Sequence, residues 1–500
     1  MKILTAEQNR LLDKYIIEGE PVASIDLMER AASRFAESVA SQMDTGQPVF
    51  VFCGMGNNGG DGLAIARLLT AKGFKNVLTY VVKHAEKGSE DFYINEERLR
   101  SVANINYITT ESEVPVIGPG AVCIDALFGS GLSRGLEGLA ATVVNAINKA
   151  AVTVYSVDVP SGLFCDKLNG AADAVIQSTI TWSFHAPKFS FLLPQNAKYV
   201  PEFRIIDIGA TNVYTDNIST LYEYIDDKLI RGIFRKREKF SHKGTYGHAL
   251  ICAGSYGKIG AAVMAVGAAL RAGAGLVSAQ IPACGYRVIQ NANPGAMVMA
   301  DAAEKSLTEI KDYSKYAAIG VGPGIGAEPR TFEFFDKFLR TITVPLVIDA
   351  DALNILASYP HLRNLVPKNS IVTPHPGEFK RLAGEWANDV QKIERQIQFS
   401  KQYNVVVVLK GAHTSVSTPE GKVYFNSTGN PGMAKGGSGD VLTGVITSLL
   451  AQGYTATHAA VIGAYIHGLA GDLAAANLGQ TGMQATDIIN YLPPAFKVFE

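Results

Sequence analysis

Two short segments concentrate groups that can handle phosphates and protons. Asn57-Asn58-Gly59-Gly60-Asp61-Gly62 follows an apolar run and leads into a helical stretch at 63–69. Glycines there let the backbone approach a ligand, and free amides at a helix N-terminus attract phosphate. The spacing is not GxGxxG, so a dinucleotide fingerprint is a poor match. The second segment is Gly429-Asn430-Pro431-Gly432-Met433-Ala434-Lys435-Gly436-Gly437-Ser438-Gly439-Asp440, ahead of a helical run at 441–450. Flexible residues in succession before a helix make a nest of amides for phosphate oxygens. Asp440, in the first turn, can cap that helix or act as a base. The pattern GxxxxGK[ST] is absent, which argues against a P-loop nucleoside triphosphatase.

Other chemistry sits at the ends of apolar runs. Asp125 leads into Phe128-Gly129-Ser130-Gly131-Leu132, and Asp158 into Pro160-Ser161-Gly162. Further along, Gly320-Val321-Gly322-Pro323-Gly324, Asp349-Ala350-Asp351-Ala352-Leu353, Thr373-Pro374-His375-Pro376-Gly377-Glu378 and Lys410-Gly411-Ala412-His413-Thr414 each close a run. Singly, such an Asp reads as a helix cap and such a His as a turn residue. Collected at the carboxyl ends of parallel strands, they read as ligand clefts.

The elements that must position these groups are short β-branched runs alternating with helical stretches. Strands are expected at 49–53, 77–82, 122–127, 152–157, 179–184 and 204–208, then at 248–253, 276–281, 317–321, 346–348, 371–372, 405–409 and 423–425. Most are continuously apolar, as in strands covered on both faces, so the fold class is α/β with mainly parallel sheets. Five hundred residues exceed one hydrophobic core. The pattern lapses over 211–237, which is polar and lacks a strong strand, so a boundary is expected near 212–225: a domain over 1–212, a linker over 213–224 and a domain over 225–500. No repeat relates the halves.

Composition narrows the function classes. Forty-five Lys plus Arg against forty-six Asp plus Glu leave a net charge of −1, without a global field for nucleic acid or anionic membrane. The cluster Arg235, Lys236, Arg237, Lys239, Lys243 reads as a solvated linker face. Five scattered cysteines form no CxxC pair, pointing to buried thiols in a reducing compartment. The first fifteen residues are polar and helical in pattern, with no signal core. The apolar stretch 259–270 is broken by Arg271 and Gly273, so no bilayer span is expected. A cytoplasmic protein with no nucleic-acid or membrane partner is expected.

The motifs at 57–62, 125–131 and 158–162, with Ala186-Pro187-Lys188 after a strand, resemble the epimerase half of the NAD(P)H-hydrate repair proteins, across most of 1–212. The resemblance implies a Rossmann-like αβα sandwich and a potassium ion on Asn58, Asp125 and Ser161. It implies hydrated-nucleotide contacts at Asn57, Asn58, Gly59, Gly60 and Asp61, at Gly129, Ser130, Gly131, Leu132, Ser133, Arg134 and Gly135, and at Asp158. Epimerising a hemiaminal carbon needs acid/base help, and Asp158 is the candidate proton-transfer group. Leu163-Phe164-Cys165-Asp166-Lys167 departs from the family's usual continuation.

The second set resembles the ribokinase-like superfamily and, more closely, the dehydratase domain of the same repair proteins, over nearly all of 225–500. Supporting stretches are His242-Lys243-Gly244-Thr245-Tyr246-Gly247, Gly254-Ser255, Gly260-Ala261 and Arg271-Ala272-Gly273-Ala274-Gly275. The resemblance implies nucleotide contacts at Lys410, Gly411, Ala412, His413 and Thr414, and at Asn430, Pro431, Gly432, Met433, Ala434, Lys435, Gly436, Gly437, Ser438 and Gly439. It implies hydrated-cofactor contacts at Ala261, Gly322, His375 and Asp440, with Asp440 as catalytic base. Lys435 stands where the family more often has Thr. ADP or ATP as phosphoryl donor, Mg2+, hydrated NADH and NADPH as substrates, and a homo-oligomer complete the expectation. Alternatives are a small-molecule kinase for a vitamin or sugar, and a non-catalytic nucleotide sensor or scaffold.

Overall fold

The computed structural model describes all residues except 210–214 and 216. It divides into two compact units, Lys2–Thr220 and Leu221–Glu500, the latter joined by Met1. Residues 213, 214 and 216, in the first part of the expected linker, lie outside the described residues. Its end does not behave as a linker: Tyr222–Ile225 form an edge strand parallel to Val423–Asn426.

The first unit holds a seven-stranded sheet of β1 (Val49–Cys53), β2 (Val77–Val82), β3 (Ile105–Ile108), β4 (Val122–Ala126), β5 (Thr153–Val157), β6 (Ile180–Phe184) and β7 (Phe203–Ile206). The order is β3-β2-β1-β4-β5-β6-β7, with every pairing parallel. Val49, Val51 and Cys53 point into a core with Leu27, Phe35, Leu63 and Ile65, while Phe50 and Phe52 point into another with Val143, Val144 and Ile147. Helices therefore cover both faces, which is why the strands read as unbroken apolar runs. β3 escapes sequence reading because its residues alternate, with Asn106 exposed at the sheet's edge.

The second unit holds a ten-stranded sheet. Its strands are β8 (Tyr222–Ile225), β9 (His248–Cys252), β10 (Leu276–Ile281), β11 (Met297–Ala300), β12 (Ala318–Val321), β13 (Leu346–Ile348), β14 (Ile371–Val372), β15 (Val406–Leu409), β16 (Ser415–Ser417) and β17 (Val423–Asn426). The order is β11-β10-β9-β12-β13-β14-β15-β16-β17-β8, parallel except for the antiparallel turns through β16. β8, β11 and β16 are edge, partly exposed or three-residue strands, with little apolar signal. Helix Ala456–Leu478 is, by length and composition, apolar enough to cross a membrane, which the sequence reading overlooked. Two-thirds of its most apolar window is buried, and Ala459, Ile462 and Ile466 pack with Val445 and Ile446 of helix Ser438–Ala451.

Both sheets reverse strand order beside their first central strand, between β1 and β4 and between β9 and β12. Such switch points open a crevice at the carboxyl ends of the strands.

Candidate active sites

In the first unit, helix Asn57–Ala71 begins at Asn57 itself, so the glycines expected in a loop lie in its first two turns. Their function is close packing. A Cβ on Gly59 would lie 2.0 Å from the Gly54 carbonyl oxygen, and one on Gly62 2.6 Å from the Ala126 Cβ. The helix has no side-chain N-cap, and its first-turn amides at Asn57, Asn58 and Gly59 face the crevice end without a recorded acceptor among the described residues. Asn58 Nδ2 is buried and unpartnered.

Asp125, at the end of β4, is fully buried. Its Oδ2 accepts from Ser156 Oγ at 2.8 Å and from the Ser161 amide at 2.8 Å, and its Oδ1 from Ser161 Oγ at 2.5 Å. Ser161 Oγ also accepts from the Phe128 amide at 2.8 Å. Burial pushes the Asp125 carboxyl up, and these hydrogen bonds oppose the rise. Asp125, Ser161, the Phe128 carbonyl and the Asn58 amide form an all-oxygen donor set, since an Asn amide can present its oxygen by a flip. The donor set fits a hard cation. No group of three His, Cys, Asp or Glu suited to a metal exists among the described residues. Gly129 joins the same cluster, its Cβ position 3.4 Å from the Asn58 side chain. The loop beyond is anchored by Arg10 on the Gly131 carbonyl and Lys167 on that of Ser133. No recorded hydrogen bond ties Leu132 or Arg134 to the cluster among the described residues.

Asp158 follows β5 with φ +60, a left-handed conformation that costs a non-glycine residue about 1 kcal/mol or more. Its Oδ1 pairs with Lys188 Nζ at 2.9 Å and accepts from the Phe184 amide at 3.0 Å. Lys188 is only 2 % exposed, so this ion pair is largely withdrawn from water. The lysine and its neighbour His185, also at positive φ (+66), were given no role by the sequence reading. The signal available was a lysine directly after a strand. Burial drives the Asp61 carboxyl well up, and the charges of Asp158, Asp13 and Asp91 add to the rise. Thus Asp61 and Asp158 share one electrostatic neighbourhood, one carboxyl favouring its proton and the other held by an ammonium.

In the second unit the long glycine segment divides in two. Its first half is packing: Asn430 Nδ2 donates to Asp472 Oδ1 at 2.9 Å, and the Gly429 amide to Asp472 Oδ2 at 2.8 Å. A Cβ on Gly432 would meet Met483 Sδ at 2.7 Å, while Met433 packs on Gly471. Lys435 Nζ donates to the carbonyls of Thr481 at 2.6 Å and Met483 at 2.7 Å, so its ammonium fastens the loop. The second half remains open. Gly437 is the N-cap of helix Ser438–Ala451 at φ +97, and a Cβ there would stand 2.4 Å from Met264 Sδ. The amides of Gly436, Gly437 and Gly439 have no recorded acceptor among the described residues, and the buried Ser438 hydroxyl is unpartnered. His467 Nε2 bonds the Ser438 carbonyl at 2.9 Å; burial pushes its imidazole down to about 4, so it stays neutral and donates.

Asp440 sits in the first turn of this helix. Its carboxyl is pushed up to about 7 by burial first and then by Asp349, with Lys410 opposing. Lys410 Nζ lies 2.9 Å from Asp349 Oδ1 and 3.9 Å from Glu378 Oε2, and Thr443 Oγ1 donates to Asp349 Oδ2 at 2.8 Å. Burial alone would lower the lysine, but Asp349, Glu378 and Asp440 outweigh it and raise it. Asp351 accepts from the Gly326 amide at 2.8 Å and faces Lys258 at 3.4 Å. His375 Nδ1 accepts from the Gly377 amide at 3.0 Å, capping helix Pro376–Ala383. Gly322, at φ +128, crosses so close to Asp349 that a Cβ would overlap its carbonyl oxygen at 1.9 Å. Ala261 lies in helix Ile259–Arg271, after β9 on the other side of the switch point. Gly411, Ala412 and Thr414 follow β15 near the surface, and His413 Nδ1 faces the Asn426 carbonyl at 3.2 Å. Sequence reading missed Asp472 and His467, which are distant in the chain from the motifs, and Thr443 and Lys258, which lie three residues from Asp440 and Ala261 but belong to no motif.

Two switch-point clefts, one with an oxygen-lined acidic pocket and one with an open amide nest beside a high-pKa carboxyl, define a fused pair of α/β nucleotide-handling enzymes. A family described as NAD(P)H-hydrate dehydratase matches residues 249–494, and one described as YjeF-related protein N-terminus matches 24–190. The bifunctional NAD(P)H-hydrate repair enzyme Nnr of Moorella thermoacetica is 34% identical over 100% of this chain and 97% of its own. That of Coxiella burnetii is 34% identical over 97% of each, and that of Escherichia coli 32% over 93% of this chain and 88% of its own. A solved ADP/ATP-dependent NAD(P)H-hydrate dehydratase from Bacillus subtilis, co-crystallized with ATP/Mg2+, is 34% identical, covering 56% of this chain and 99% of that one, with a TM-score of 0.49. This chain belongs to the bifunctional NAD(P)H-hydrate repair enzymes.

Proposed function

We propose that the protein repairs hydrated nicotinamide cofactors in two steps on one chain. The first unit interconverts the R and S epimers of hydrated NADH or NADPH; the second dehydrates the S form, with ADP converted to AMP and phosphate. The observation that carries the reading is the juxtaposition of Asp440 with the unoccupied hydrogen-bonding capacity of Gly436, Gly437, Gly439 and Ser438.

In the dehydratase step, the hydroxyl of the hydrate is a poor leaving group, and phosphorylation makes it a good one. Asp440 takes the hydroxyl proton as the oxygen attacks the terminal phosphorus of ADP, and the P–O bond to AMP breaks. The open amides bear the charge on the transferring group. Phosphate then departs with the hydroxyl oxygen, and loss of a ring proton restores the dihydronicotinamide. Lys410, held by Asp349 and Glu378, lies beside the Gly439 backbone and contributes positive charge there. Mg2+ supplies charge neutralisation on the nucleotide when bound. Asp349 and Asp351 are already engaged by Lys410, Thr443, Gly326 and Lys258, so a bound ion would be held chiefly through the nucleotide's phosphates.

In the epimerase step, Asp158, positioned by Lys188 and the Phe184 amide, exchanges a proton with the hemiaminal hydroxyl. Potassium is the cation proposed for Asn58, Asp125 and Ser161, where it supplies a counter-charge for the buried carboxylate. A homo-oligomer and a cytoplasmic setting belong to the same reading.

The test supplies purified R and S hydrates separately with ADP, then with ATP. Release of inorganic phosphate with recovery of dihydronicotinamide absorbance is expected, immediate from S and dependent on the first unit from R. A stable phosphorylated product without that recovery would make the second unit an ordinary kinase and overturn the proposal.

A further inference from the structure

The basic cluster read from sequence as a solvated linker face is organised around a cavity of about 530 Å³ within the second unit. Arg235, Lys236, Arg237 and Arg271 line it. The guanidinium of Arg235 lies over the Tyr454 ring at 4.5 Å and donates to the Gly453 carbonyl at 3.0 Å. Arg237 lies over Tyr246 at 3.9 Å and donates to the Gly273 carbonyl. Gly273 makes room for it, since a Cβ there would stand 2.4 Å from Arg237 Nη2. Two guanidinium planes are thus held by aromatic faces and carbonyls, each with further donors free to bond a ligand.

None of the four cations is in a recorded ion pair among the described residues, although Glu238 and Glu500 also line the cavity. Four cations against these two side chains and the α-carboxylate of Glu500 leave one positive charge in excess, in a chain whose total is −1. The cavity is also remote from the catalytic nest. Leu449 and Gln452 line it at the last turn of helix Ser438–Ala451, whose first turn carries Asp440. Asp440 precedes Leu449 by nine residues and Gln452 by twelve, so the helix holds the two apart by about 13–18 Å.

We propose that this cavity is a second anion site, which takes a phosphorylated small molecule through the guanidinium forks of Arg235 and Arg237 and the charges of Lys236 and Arg271. Its volume is in the range of small-molecule sites, and its concave shape suits a compact polyphosphate better than an extended strand. Four cations gather in one hollow and only Lys239 and Lys243 of the sequence cluster lie outside its lining, too few for the charged stripe that a nucleic-acid backbone needs.

The probe is inorganic pyrophosphate, titrated calorimetrically at low ionic strength into the full chain and into the Lys236→Glu/Arg271→Glu variant. Both side chains are exposed and make no side-chain hydrogen bond among the described residues, so their replacement leaves the packed core intact. The variant should lose one pyrophosphate per chain, or bind it at least tenfold more weakly, with its ADP-dependent turnover and KM for ADP unchanged. Arg237→Gln, which keeps a donor for the Gly273 carbonyl, should weaken the same class of site. Equal stoichiometry and affinity in wild type and both variants would overturn the proposal. So would an oligodeoxynucleotide that displaces pyrophosphate at lower concentration and loses its own binding in the charge-reversed variant, because the hollow would then belong to a nucleic-acid surface.

Discussion

Asp440 carries opposed demands. Burial and Asp349 raise its carboxyl to about 7, which makes it a proton acceptor matched to neutral pH while costing stability whenever it is charged. Asp440→Asn should therefore reduce ADP-dependent recovery of NADH by roughly 10²–10⁴-fold and leave epimer exchange intact. In the wild type, kcat/KM for the S hydrate should fall tenfold per unit as pH drops below about 7, because only the charged form accepts the proton. A flat profile through that region would remove Asp440 from the base role. The same shift sets stability. A carboxyl whose folded pKa is raised contributes most when protonated, below its unfolded value, and that contribution is lost as pH rises through about 7. Asp440→Asn should thus raise the melting temperature of the second unit at about pH 8 and by much less at about pH 5. Lys188 is the corresponding residue of the first unit. Lys188→Met should reduce conversion of the R hydrate while leaving use of the S hydrate normal, since Asp158 loses its 2.9 Å partner.

Helix starts do most of the work at the level of elements. Helix Asn57–Ala71 and helix Ser438–Ala451 both begin without side-chain caps, leaving amides for a ligand. Their glycines serve different ends. Gly59 and Gly62 bring the first helix onto β1 and β4, whereas Gly437 supplies a left-handed turn that opens the nest. Gly62→Ala places a methyl 2.6 Å from Ala126 Cβ and 2.8 Å from Cys53 Sγ, and should destabilise the first unit by about 1–3 kcal/mol, read by denaturant unfolding. The sequence pattern locates both segments but does not separate these roles, because a packing glycine and a turning glycine are the same letter. It anticipates β1, β2, β10, β13 and β14 at their observed bounds. It misses β3, β8, β11 and β16, whose short or half-exposed residues lack the apolar run of a strand buried on both faces.

At the scale of the whole molecule, two α/β units join on one chain an epimerase and the enzyme that consumes one epimer. If potassium occupies the proposed site, replacing it with lithium should slow R-to-S exchange without changing turnover of the S hydrate, because the donors proposed for it, Asp125 and Ser161, belong to the first unit alone. Equal loss on both epimers would place the ion's effect elsewhere. The alternation of apolar runs with helical stretches by itself determined the α/β class, and the glycine and aspartate motifs at the run ends determined where chemistry could occur. Both are local properties, written in periodicity and in residue type. Only the tertiary structure decided which of those groups meet: Lys188 on Asp158, Lys410 between Asp349 and Glu378, and Lys435 turned away to fasten a loop. Burial and charge proximity depend on residues tens or hundreds of positions apart, and no single stretch of chain encodes them.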